Sequence, residues 1–214
     1  MSSPIDQEQL RSARWFAGKD RRIAGVRALG TFGPLTLAEV AYAQGAEERY
    51  LLPADGLRWG PFLNGLLTAP LQGAGGRIEL RAQPALSELL RGDGRERIPS
   101  TDQSNTLVTV GERLLVKIYR KLASGVHPEV ELGAALAGSG APVPEHAGSL
   151  HHVAPNGTET ALAVLQEFVP GATSGWEEPI EAVAAQLRAG TSAGADATAP
   201  YAAAGRAAGA LHAA

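Results

Sequence analysis

Lys117 stands in a run of strand-forming residues, where a lysine either faces water or has a task. Leu107 to Val110 and Arg113 to Tyr119 flank Gly111-Glu112, so this stretch reads as strand, tight turn, strand. In the second strand Leu114, Val116 and Ile118 share one face, while Leu115, Lys117 and Tyr119 share the other. Just upstream, Gln103, Ser104, Asn105 and Thr106 place small polar side chains and backbone N–H groups at a strand start, which suits a loop covering a phosphate. Downstream, Ser124-Gly125-Val126-His127-Pro128 leads into a predicted helix with Glu129 and Glu131 in its first turn. An ammonium, a polar loop and a nearby carboxylate together suit the holding of a phosphorylated ligand.

The elements that must position these groups follow from the rest of the chain. Asp6 to Phe16 predicts a short amphipathic helix with Leu10, Ala13 and Arg14 near one face. Trp15 and Phe16 read as aromatic anchors, and Arg14, Lys19, Arg21 and Arg22 as a solvated basic turn. Leu35 to Ala43 and Glu48 to Leu52 predict a hairpin with Tyr42 and Tyr50 in its core. Trp59 to Leu67 is a mixed apolar stretch. Gly73-Ala74-Gly75-Gly76 lacks the GxxxxGK[ST] pattern of a phosphate cradle and reads as a hairpin turn before Arg77 to Arg81. Pro84 to Arg91 predicts a helix, and the loop at Gly92 to Arg95 marks a boundary near residue 92.

The helix after His127-Pro128 is expected to reach about Gly138 with Val130, Ala134 and Leu136 buried. Ser149 to Val153 and Thr160 to Phe168 predict a strand pair around Pro155-Asn156-Gly157. His151 and His152 are adjacent, point to opposite faces of a strand, and cannot chelate one metal together. A helix from Gly175-Trp176 to about Leu187, a low-complexity loop over 190–199 and a helix-prone segment from Tyr201 complete the chain.

Of the 214 residues, 44% are hydrophobic and 19% charged, the composition of a globular chain of one or two domains. A net charge of -3 gives no electrostatic case for nucleic acid or an acidic membrane. The absence of cysteine excludes a disulfide framework and a thiolate metal site, which is consistent with a cytoplasmic protein. The N-terminus is polar, without a signal-peptide pattern, and no apolar run approaches the ~18 residues of a membrane span.

The run SNTLVTVGERLLVKIYRK, with HPEVELGAAL, LAVLQEFVPGATSGWE and the N-terminal ARWFAGKDRR, resembles the maltokinase-like family. That family has the aminoglycoside-phosphotransferase, protein-kinase-like fold, and actinobacterial glucosamine kinases form a branch of it. The motifs occur in the family's order along nearly the whole chain. The resemblance implies an α+β fold: an N-terminal cap (1–92), a kinase-like N-lobe with an antiparallel sheet, one key helix and a hinge (93–170), and the first helices of a C-lobe (171–214). It implies ATP under the loop carrying Ser104, Asn105 and Thr106, its phosphates met by Lys117. Set against the family's pattern, Glu131 rather than Glu129 falls at the position that pairs with that lysine; either glutamate would also stabilise a helix N-terminus, by ~0.3–1 kcal/mol. It further implies adenine contact at the backbone of Glu167, Phe168 and Val169, where a strand end should leave a C=O and an N–H without backbone partners.

The family's catalytic aspartate and Mg²⁺ ligands lie in a His-Gly-Asp…Gln loop and an Asp-Phe-Glu segment of the C-lobe, and neither motif occurs here. The only aspartate after Asp102 is Asp196, and the alanine-rich segment stops in mid-pattern at Leu211-His212-Ala213-Ala214. The expectation is therefore an N-terminal portion of a sugar kinase, using ATP and Mg²⁺, with no catalytic or metal-binding residue of its own and no turnover in isolation. Glucosamine, phosphorylated at O6, is the expected acceptor, since HPEVELGAALAGSGAPVP and EFVPGATSGWE sit closer to the glucosamine-kinase branch. Maltose, phosphorylated at O1, is the alternative sugar. A non-catalytic kinase-like binding module is the alternative class.

Overall fold

A computed structural model describes residues 5–98, 104–172, 177–190 and 199–213. Gln103 of the expected phosphate loop, Gly175 and Trp176 of the expected helix start, and loop residues 191–198 lie outside the described residues.

Two antiparallel sheets and a few short helices make up the fold. The first sheet is a meander of β1 (Ile23–Phe32), β2 (Leu35–Tyr42) and β3 (Glu48–Pro53), with the two-residue strand β9 (Lys121–Leu122) added beside β3. The second contains β4 (Leu71–Gly73), β5 (Gly76–Ala82), β6 (Glu96–Arg97), β7 (Asn105–Val110), β8 (Leu114–Tyr119), β10 (His146–Val153) and β11 (Glu159–Glu167). Its spatial order is β4-β5-β10-β11-β8-β7-β6. Strand pairing therefore crosses residue 92, since β5 is hydrogen-bonded to β10. No helix among the described residues is long and apolar enough to cross a membrane.

The β7–β8 hairpin forms where the alternation predicts it. Gly111 and Glu112 both have positive φ, +61° and +52°, the left-handed pair that matches the twist of a hairpin. Leu114, Val116 and Ile118 are fully buried, in the same apolar cluster as Phe32, Leu35 and Leu51 of the first sheet. Trp59 and Leu63 of α2 (Trp59–Leu66) join that cluster, so the two sheets and this helix share one core. Each of those fully buried leucines contributes roughly 1.5–3 kcal/mol. Arg58, at the N-cap of α2, makes no side-chain cap hydrogen bond. Glu96 of β6 does this work instead, accepting from Trp59 N at 2.9 Å and Gly60 N at 3.0 Å.

The N-terminal helix α1 (Gln7–Ser12) is shorter than expected. Asp6 caps it by accepting from Glu8 N at 2.9 Å, and Ala13 turns extended so that Trp15 and Phe16 can dock on Tyr50, with ring centroids 5.9 and 5.1 Å away. Tyr42 and Tyr50 are buried as expected, and both hydroxyls donate to Glu48, whose other oxygen accepts from Arg21 at 2.9 Å and Lys121 at 2.7 Å. Arg21 also lies over the Tyr42 ring, 3.4 Å from its centroid, which ties the N-terminal segment to the sheet. A Cβ on Gly18 would meet the Tyr42 hydroxyl at 2.1 Å, so the turn before Arg21 can carry no side chain there.

Helix α4 (Pro128–Leu136) follows the second sheet's hairpin, and a short α3 (Leu86–Leu89) precedes β6. α4 corrects the expected burial: Val130 and Leu136 are half-buried, Ala134 is exposed, and none of its residues is fully buried. α5 (Glu177–Ala189) and α6 (Ala199–Ala213) close the described chain; Ile180, Val183 and Leu187 of α5 are exposed.

Candidate functional site

Lys117 lies on the face of the second sheet that turns away from the shared core. Register places it across from Leu107 on β7 and Val164 on β11. Its neighbour on the same face, Tyr119, forms a small apolar cluster with Ala161 and Val164. The alternation of β11 is reset here by an irregularity between Leu150 and His151 in the β10–β11 register, so Leu162 and Ala163 both join the main core while Ala161 and Val164 face the lysine.

α4 starts beside this strand pair. Lys117 Nζ donates to Glu129 Oε1 at 3.0 Å, and the Tyr119 hydroxyl donates to Glu129 Oε2 at 3.0 Å. His127, the residue before the helix, stacks on Tyr119 with ring centroids 3.9 Å apart and planes 17° from parallel. Its Nδ1 is buried without a hydrogen-bond partner. Burial pushes the Tyr119 phenol well above its ordinary range, and the Glu129 carboxylate adds to this, so Tyr119 is a permanent donor. Burial pushes His127 down; Glu129 opposes the shift and Lys117 reinforces it.

The expected partner of Lys117, Glu131, is thereby corrected to Glu129. Glu131 is exposed and lines a separate cavity of about 390 Å³ with His146 and His151. The two carboxylates lie about 200° apart around the helix axis, so only one can face β8. Proline at the first helical position fixes the start of α4, and that start aims Glu129 at the strand.

The polar loop is split by the pleat. Asn105 sits opposite Tyr119 on the lysine's face, while Thr106 sits opposite Ile118 and lines a cavity on the other face with Arg120. Ser104 is exposed at the strand start. Asn105 is thus on the lysine's side, Ser104 precedes the strand, and Thr106 reaches that side only through its backbone.

At the far end of β11 the expectation of open backbone groups needs correction for two of the three N–H groups. Glu167 N donates to Glu145 O at 2.8 Å, and Phe168 N donates to Arg113 O at 2.8 Å. Among the described residues the N–H of Val169 has no backbone acceptor, and its side chain is 48% exposed. Among the described residues the segment therefore offers one open N–H donor, on a strand end whose other N–H groups are held by the β7–β8 turn and the chain before β10.

Of the two adjacent histidines of β10, His151 is buried and His152 half-buried. His151 hydrogen-bonds Ser149 at 2.8 Å and His152 hydrogen-bonds the Gly75 carbonyl at 2.8 Å, on opposite faces as their adjacency requires. Among the described residues no group of three or more His, Cys, Asp or Glu side chains is placed to hold a metal. The glycine run before β5 is a hairpin turn, with β4 and β5 paired from Gly73↔Gly76.

No family model matches the chain. Solved structures similar to it include two of glucosamine kinase. One, a glucosamine kinase, is 21% identical with a TM-score of 0.54, the match covering 98% of this chain and 51% of that one. The other, a glucosamine kinase in complex with glucosamine, ADP and inorganic phosphate, is 20% identical with a TM-score of 0.50, covering 98% of this chain and 52% of that one. This chain thus spans about half the length of those proteins. At these identities the likeness establishes the fold, a mixed α+β arrangement of antiparallel sheets with few helices, similar to that of glucosamine kinase.

Proposed function

We propose that this chain is the nucleotide-binding portion of an ATP-dependent sugar kinase whose acceptor is glucosamine. The observation that carries the reading is the Lys117–Glu129 pair on the open face of the second sheet, 3.0 Å apart. An ammonium held by a helix carboxylate keeps its remaining N–H donors aimed outward, where they can meet phosphate oxygens. Asn105, Ser104 and the backbone at Thr106 lie at the same end of β7, and the Val169 N–H offers a donor for the adenine edge. In this reading residues 1–92 form a cap, 93–170 the N-lobe and hinge, and 171–214 the start of a helical lobe, in a cytoplasmic protein.

In the proposed reaction the glucosamine O6 bonds to the γ-phosphorus as the bond from that phosphorus to the ADP oxygen breaks, and the hydroxyl proton passes to a base. Mg²⁺ would neutralise phosphate charge, but the described side chains do not assemble a site for it, so no step through it is assigned to this chain. The catalytic base likewise is assigned to no residue of this chain.

The test is sugar-dependent ADP release with Mg·ATP, comparing glucosamine and maltose, on this chain and on the product of any reading frame that continues past Ala214. Turnover of glucosamine by the longer product supports the proposal, and preference for maltose replaces the acceptor. Nucleotide binding without turnover by either product favours a non-catalytic module. In all cases Lys117→Met is expected to weaken ADP binding about tenfold or more, which corresponds to about 1.4 kcal/mol.

A further inference from the structure

Arg120 occupies the point where the chain leaves one sheet for the other. β8 ends at Tyr119, β9 begins at Lys121, and the Arg120 carbonyl accepts from Leu51 N of β3 at 2.9 Å. Its side chain runs to the cap side of the fold, opposite to Lys117, and its guanidinium lies over the Trp15 ring, 4.1 Å from the centroid. The Nε is fully enclosed and has no hydrogen-bond partner. Among the described residues no oxygen accepts from any Arg120 nitrogen, and no carboxylate lies within ion-pair distance of it. Burial holds its pKa down to about 10, with Asp55 pulling the other way.

A buried guanidinium nitrogen without an acceptor is costly, and proteins ordinarily pair such a group; the rest of the Arg120 side chain is half-buried and reaches the cavity. The space beside it is open. A cavity of about 720 Å³ lies between α1 and the first sheet, lined among others by Asp6, Gln9, Thr31, Thr36, Asp55 and Arg120. Thr31 and Thr36 face each other across β1 and β2, which brings two hydroxyls together on one wall. Asp6 is already committed to capping α1, leaving Asp55 as the acid that would oppose an anion.

We propose that this cavity is a second ligand site, for a small organic anion whose carboxylate or phosphate monoester meets Arg120 and whose body rests between α1 and the Thr31–Thr36 wall. The size matches small-ligand cavities, which combine an apolar lining with a few polar groups that set orientation. The site is separate from the Lys117 face and does not depend on the kinase reading.

The experiment is calorimetric titration of the full chain with benzoate, phenyl phosphate and benzamide, followed in parallel by tryptophan fluorescence, since Trp15 carries the guanidinium. Saturable binding of benzoate or phenyl phosphate, with none of benzamide, is expected, and whichever acid binds tighter identifies the anion class. Arg120→Met should weaken it at least tenfold, Asp55→Asn should tighten it several-fold, and Lys117→Ala should leave it unchanged. If Arg120→Met does not fold, Asp55→Asn and Thr31→Val carry the test, the latter expected to weaken binding. The proposal is overturned if neither acid saturates, if folded Arg120→Met or Thr31→Val binds as well as the parent, if Asp55→Asn does not tighten binding, or if Lys117→Ala abolishes it.

Discussion

Glu129 and Glu131 show how much a two-residue choice matters at the residue scale. Both were legible as acids in the first turn of a helix, and the strand lysine they serve was legible from alternation alone. Which one turns to β8 depends on the rotation of α4 about its axis, a tertiary quantity that the half-buried positions of a helix without a buried face do not encode. On the proposed nucleotide-binding role, Glu129→Gln is expected to weaken ADP binding about tenfold, because Lys117 and the Tyr119 hydroxyl both lose a charged acceptor. Glu131→Gln should change it less than about twofold, as expected of an exposed charge. Side-by-side titrations of the two variants decide the assignment, and equal losses would return Glu131 to the site. The polar loop teaches the same lesson: Ser104, Asn105 and Thr106 are consecutive, yet a strand's pleat sends Asn105 and Thr106 to opposite faces.

At the scale of elements, α4 is held near its N-terminus by Glu129 and Val130 and comes close to β10 at one glycine. A Cβ on Gly133 would stand 2.8 Å from His146 Nδ1, and His146 is buried in β10 with little room to move. Gly133→Ala should therefore destabilise the protein by roughly 1 kcal/mol even though alanine favours an isolated helix by about that amount. It should also lower ADP affinity as Glu129 is carried away from Lys117. A gain in melting temperature with unchanged ADP binding would show that α4 shifts freely. For α2, Glu96→Ala removes the carboxylate that satisfies two helix N–H groups, and a loss of about 1–2 kcal/mol in denaturant unfolding is expected.

The hairpins β2–β3, β7–β8 and β10–β11 were legible because turn residues punctuate clean alternation. β1 was not, for a physical reason: it is an edge strand whose register slips between Ile23 and Gly25 and again between Ala28 and Gly30, so no period of two survives in the sequence. α1 was read too long because Ala13 and Arg14 continue a helical pattern, whereas packing of Trp15 and Phe16 on Tyr50 ends the helix earlier.

For the molecule as a whole, the buried titratable groups make acid the weak side. His127, His146, His151 and His152 are all pushed below their ordinary values, chiefly by burial. Their neutral forms are favoured in the folded state, so their contribution is complete above the ordinary histidine value, about 6.5, and is lost as pH falls below it. Glu48 adds a second window. Burial alone would raise it, but Lys121, Tyr50 and Tyr42 outweigh that and hold it at about 2. The resulting stability is present above about 4.5 and disappears as pH falls toward 2, on the order of 2–3 kcal/mol in all. Urea midpoints should therefore fall in two steps, below pH 6.5 and again below pH 4.5, and Glu48→Gln should shrink the second, leaving the part that Glu79 and Glu159, also held below the ordinary carboxylate value, contribute. A single acid transition unaffected by that variant would contradict the assignment.

The pairing of β5 with β10 has a consequence for the birth of the protein. β5 emerges from the ribosome early, while the strand that covers its edge follows some 70 residues later, roughly 4 to 15 s at ordinary rates of synthesis. During that interval Ile78 and Leu80 sit on a nascent strand whose backbone groups await their partner, an invitation to another chain. Synonymous codons that slow translation between residues 82 and 146 would lengthen the exposure and raise aggregation without altering a single amino acid.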